Sequence, residues 1–94
     1  MMSDIYELQA RYDSRLSFYG KAKVIETKKY LRLISYGTHV ATWNKETKTL
    51  TIHRNYEYAP HGKYSQTTSR HIREFARQRG MYLTEVEVGQ YQGY

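Results

Sequence analysis

The stretch Tyr64–Gly80 constrains this chain most, because it spells out one complete helix with its start and stop signals. Ser65, Thr67 and Thr68 at its front offer hydroxyl oxygens to the unpaired N–H groups of a first turn. Gly80 at its end suits the left-handed conformation that terminates a helix. At roughly 100° per residue, Thr68, Ile72, Phe75 and Ala76 fall on one side and Arg70, Arg73 and Arg77 on the other. Such a helix docks by its apolar stripe and turns a row of guanidinium groups outward.

What it docks on is written in a different period. Residues 18–27 alternate, with Phe18, Ala22 and Val24 on one side and Gly20 suggesting a bulge or a close backbone approach. Strands follow over 30–35, 38–43 and 48–54, separated by short polar or glycine-containing turns. Connections that short make neighbouring strands antiparallel. Residues 55–63 have no period, contain the single proline and read as a loop leading into the helix. Residues 81–88 alternate once more as a last strand, 89–94 read as a frayed tail, and 3–13 read as a short N-terminal helix with Ile5, Leu8 and Tyr12 on one face. The expectation is one α+β domain over 1–94, with a core over 17–88. It has an antiparallel sheet of four to five strands in the order β-β-β-β-α-β, and the helix covers one face. The other face has no second layer to cover it.

Three blocks resemble a known family: Ser17-Phe18-Tyr19-Gly20-Lys21-Ala22, then Leu33 to Ala41, then Tyr64 to Phe75 with Gln78 and Gly80. The resemblance is to small uncharacterised proteins encoded on phages, plasmids and conjugative elements of Gram-positive bacteria. It implies a mobile-element setting and no particular chemistry.

Charge narrows the partners. The formal charge is +6, concentrated in the middle of the chain: residues 21–54 carry eight Lys or Arg against Glu26 and Glu46. A basic middle with mildly acidic ends suits a face that meets phosphate. The candidate nucleic-acid contacts are Arg70, Arg73 and Arg77 on the helix with Lys21, Lys23, Arg32, Lys45 and Lys48 on the strands and hairpins. Arg suits this task because its planar fork matches phosphate and guanine edges. The alternative for each is a solvated surface. Eleven tyrosines against two Phe and one Trp suit sheet packing, interfaces and base stacking alike.

Catalysis finds little support. Thr68 and His71 are three apart on the helix, but no third group orients the imidazole and no oxyanion donors are apparent. Ser65, Thr67 and Thr68 therefore read as caps. His39, His53, His61 and His71 lack zinc-pair spacing and there is no cysteine, so no metal or cofactor is expected. The absence of cysteine and of a long apolar run fits a cytoplasmic, non-membrane protein. Three readings follow: a non-enzymatic nucleic-acid binder (DNA or RNA) of mobile-element type; an inhibitor or accessory protein acting on a host protein or nucleoprotein, such as an anti-CRISPR or anti-restriction factor; and a homodimer joined through the open sheet face.

Overall fold

Short connections decide the topology. The computed structural model describes residues 4–14 and 18–93; the core boundary at Ser17 and the end of the tail at Tyr94 lie outside the described residues. Strands β1 (Asp4–Glu7), β2 (Ala22–Glu26), β3 (Tyr30–Ser35), β4 (Thr38–Asn44) and β5 (Thr49–Ile52) precede helix α1 (Gln66–Gln78), and β6 (Gly89–Gln92) follows it. The sheet runs β1-β2-β3-β4-β5-β6, every neighbour antiparallel. The class is α+β as expected, with six strands in place of four to five.

Both extra strands correct the sequence reading. The spacing of Ile5, Leu8 and Tyr12 suggested a helix, yet residues 4–7 add an exposed edge strand to β2. Pairing with a formed strand satisfies backbone groups that a short, marginal helix would hold weakly. Leu8, just past that strand, donates its N–H to the Ala22 carbonyl at 2.9 Å and buries its side chain. At the other end, 81–88 is not a strand. It runs past the helix end, burying Met81 and Val86 in the core, and its only β-pairing among the described residues is an isolated bridge between Lys63 and Glu87. The expected frayed tail is instead β6, in register with β5 through Leu50 opposite Tyr91. Gly93 continues it so tightly that a Cβ there would lie 2.6 Å from the Trp43 ring and 2.9 Å from the Lys48 carbonyl. Gly20 lies outside β2, in the turn before it, at φ 73°. The bulge falls elsewhere, where the register of β3 and β4 shifts between Leu33 and Ile34, and the consecutive Val40 and Ala41 are both buried.

Helix α1 forms as its sequence demands. Ser65 caps it, its Oγ accepting the Thr68 N–H at 3.3 Å, a contribution of about 0.5–2 kcal/mol. Gly80 at φ 84° closes it, with the Met81 N–H returning to the Ala76 carbonyl at 3.0 Å. Its stripe of Ile72, Phe75 and Ala76 is wholly buried over β3 and joins Val24, Leu33, Ala41, Leu50 and Ile52 in one core. The residues alternating with these, among them Ile5, Lys23, Ile25, Arg32, Ile34, Thr42 and Thr51, share the opposite sheet face. No other helix lies among the described residues to cover that face.

Phe75 is the largest fully buried side chain. Phe75→Ala is expected to cost about 3–5 kcal/mol in chemical denaturation, through lost apolar burial and the cavity left behind. An unchanged midpoint would mean that another face of α1 meets the sheet.

Candidate nucleic-acid interface

The arginine row of α1 turns largely inward on the molecule. Arg70 Nε donates to Asp13 Oδ2 at 3.0 Å and its Nη2 to Asp13 Oδ1, a bidentate pair. Arg77 is held by two rings, its guanidinium carbon 4.7 Å from the centre of Tyr12 and 4.0 Å from that of Tyr82. Arg73 alone of the three is exposed. Between them Glu74, only 2 % exposed, accepts the N–H groups of Tyr12 and Asp13 at 2.7 and 2.9 Å and the Gln78 side-chain amide at 2.7 Å. Arg70, Glu74 and Arg77 thus form a clasp that fastens residues 12–13 along the helix. A hollow of about 390 Å³ lies beside it, lined in part by Tyr12, Arg73 and Tyr82. Sequence reasoning missed Glu74 and Asp13 because their partners are some 60 positions away along the chain.

The strand residues divide similarly. Lys45 Nζ is bound to Glu26 at 2.7 Å and to the Thr27 carbonyl at 2.9 Å, and this contact lowers the Glu26 pKa. Lys48 sits in the β4–β5 turn at φ 55°. Lys23 and Arg32 are exposed on the uncovered sheet face, two strands joined in register, and Arg32 lies 5.9 Å from the Tyr30 ring. Glu7 stands opposite Lys23 on β1 without forming an ion pair. Lys21 is exposed at the end of the same line, just before β2.

The hydroxyl and histidine candidates take structural places. Ser65 is the cap, Thr67 is exposed, and Thr68 is buried, accepting a hydrogen bond from Ser35 at 3.2 Å. Ser35 Oγ also lies 2.7 Å from His71 Nδ1. His71 is 1 % exposed, edge-on to Phe18 at 4.7 Å and stacked with Tyr36 at 5.6 Å. Ser35 was not foreseen, since nothing in its strand marks it as polar core. His39 and His53 do meet across β4 and the chain after β5, ring centres 4.5 Å apart, with both Nε2 atoms on Thr42 Oγ1 at 2.8 and 2.7 Å. His61 lies exposed in the loop and His71 in the core, so the four do not converge. Among the described residues no group of three or more His, Cys, Asp or Glu is placed to hold a metal.

The tyrosines depart furthest from sheet packing. Tyr6, Tyr12, Tyr19, Tyr36, Tyr56, Tyr58 and Tyr82 are exposed, while Tyr64 is buried with its hydroxyl on the His53 carbonyl at 2.6 Å. Tyr19 and Tyr36 lie at the edge where α1 begins, bordering one hollow with Thr67.

This is a helix-on-one-face antiparallel sheet with an exposed, partly basic second face. The chain belongs to a family of unknown function, DUF8033, whose pattern matches residues 6–90. No curated protein and no solved structure matches it. No helix among the described residues is long and apolar enough to cross a membrane.

Burial pushes the His71 pKa down, with the nearby Asp13 raising it and Arg70 lowering it further; burial also lowers those of His39 and His53. A depressed imidazole means that the unfolded chain binds more protons, so stability is full above about pH 6.5 and falls as pH drops below it. Urea denaturation at pH 7.5 and 5.0 is expected to show this loss, and to show a smaller loss in His71→Gln. An equal or larger loss in the variant would place the sensitivity outside the core histidine.

Proposed function

We propose that this protein is a small, non-enzymatic nucleic-acid-binding module that meets the phosphate backbone with Lys23 and Arg32 on the uncovered sheet face and with Lys21 at its edge. One observation carries the reading: five of the nine acidic residues are engaged away from these three cations, and Glu7, opposite Lys23, makes no ion pair with it. Glu26 pairs with Lys45, Glu85 and Glu87 lie within 4.0 Å of Lys63, Asp13 holds Arg70, and Glu74 is buried. The excess positive charge is therefore left on exposed side chains that make no ion pair among the described residues. Such charges gain from releasing the counterions condensed on a polyanion. Arg73 lies on the helix side of the sheet, outside this interface, and Arg70 and Arg77 serve the clasp.

A binding role fits the polar core better than a catalytic one. Ser35 and His71 approach as a nucleophile and base would, but both are 2 % exposed or less, and Ser35 meets Nδ1 while also bonding Thr68. A substrate carbonyl has no access to that hydroxyl, and a Ser–His pair needs access and oxyanion donors to act. As an accessory protein of a mobile element, the setting its sequence blocks suggest, such a module would work in the host cytoplasm on DNA or RNA.

The test is a salt titration of fluorescent nucleic acid against wild type and Lys21→Ala/Lys23→Ala/Arg32→Ala. The log–log salt slope is expected to lose about two to three units of magnitude with duplex DNA, and a little less with single strands. An unchanged slope would remove the sheet face from the interface. No binding at near-physiological salt would overturn the reading.

A further inference from the structure

Two tyrosines occupy backbone positions that tyrosine disfavours. The turn Phe18-Tyr19-Gly20-Lys21 is closed by the Lys21 N–H on the Phe18 carbonyl at 3.0 Å, with φ 54° and 73° at its central residues. Ser35-Tyr36-Gly37-Thr38 joins β3 to β4 with φ 50° and 80°. Positive φ at both central residues is the type I′ pattern, in which Asn-Gly and Asp-Gly are favoured. A bulky residue with positive φ is an outlier that needs a reason.

Burial does not supply that reason, since Tyr19 is 80 % exposed and Tyr36, although stacked with His71 at 5.6 Å, is 56 % exposed. What the two share is a place. Both border a hollow of about 190 Å³ whose wall includes Lys21 and Arg70. Tyr36 also borders a second hollow, of about 220 Å³, together with the exposed Tyr58. The molecule thus sets three exposed rings along two adjoining hollows, with Lys21 on the rim making no ion pair among the described residues.

We propose that this edge is a site for single-stranded nucleic acid, with unpaired bases stacking on Tyr19, Tyr36 and Tyr58 and Lys21 meeting the intervening phosphate. The proposal rests on the nucleic-acid reading above and adds a strand preference to it. Aromatic rings take any base by its face, so such a site needs no sequence code. In a duplex the same faces are covered by neighbouring bases, and reaching the hollows would require flipping a base out. The charge of Lys21 and the net charge of +6 select a polyanion over a neutral ligand such as a sugar.

The turn chemistry provides a test that separates binding from folding. Tyr19→Asn/Tyr36→Asn gives both turns the residue they favour while removing the Tyr36–His71 stack, so the variant is expected to stay folded with a melting midpoint close to wild type. Fluorescence anisotropy would use labelled oligothymidine of about a dozen nucleotides and a hairpin duplex at the same salt. Wild type is expected to prefer the single strand, and the double Asn variant to lose about 10- to 100-fold in affinity for it with its salt slope unchanged. The companion Tyr19→Phe/Tyr36→Phe keeps both rings and should keep the affinity, which guards against a folding effect. Wild-type affinity in the Asn pair, loss of affinity in the Phe pair, or a wild-type preference for duplex would each overturn the proposal while leaving nucleic-acid binding in place. Binding to neither probe would overturn both.

Discussion

One helix cannot cover two faces of a sheet, and that constraint organises the molecule. The apolar stripe of α1, centred on Ile72, Phe75 and Ala76, is buried against one side of six antiparallel strands. Most of the apolar side chains are gathered there, with Ile5, Ile25 and Ile34 left on the other face. The alternating residues are left facing outward with Thr42, Thr51, Lys23 and Arg32 among them, a polar surface that tolerates solvent. The edge is managed too. β1 is short and fully exposed, with Asp4 and Glu7 at its ends, and charges of this kind discourage another chain from pairing there.

The second organising feature is how the charges are divided. Two of the three row arginines that look most available in the sequence are consumed by the clasp around Glu74, and Lys45 by Glu26. A buried carboxylate is costly unless satisfied, and Glu74 is satisfied by two backbone N–H groups and a side-chain amide. By occupying Arg70 and fastening residues 12–13, the clasp removes positive charge from the helix face. What stays outward lies on the strands and at the corner marked by Lys21, next to the strained tyrosines. Charge and aromatic surface therefore meet at one edge of the sheet instead of along the helix.

The sequence was most legible where structure is local. The helix, its Ser65 cap and its Gly80 stop depend on residues within a few positions of one another, and β3 and β4 follow from their own alternation and the Tyr36-Gly37 turn. Legibility failed where distant segments decide. Residues 4–7 have a helical spacing of apolar positions but are captured by the edge of β2. Residues 89–92 look like a tail, yet Tyr91 finds Leu50 and Gly93 finds Trp43. At the candidate site, Lys21, Lys23 and Arg32 could be named from charge alone. That Asp13 would claim Arg70 could not, because the ion pair spans 57 positions. The tyrosines were visible as a compositional excess, but their left-handed backbone is a property of the folded turns.

The most direct test of the account is backbone amide chemical-shift mapping by NMR as a short single-stranded oligonucleotide is added at moderate salt. Perturbed amides are expected to cluster at residues 19–23, 32, 36–38 and 58, with the helix residues around Arg77 and the clasp at Tyr12 and Asp13 unmoved. Perturbations centred instead on Tyr12, Arg73, Arg77 and Tyr82 would contradict the account, as would a spectrum that does not change.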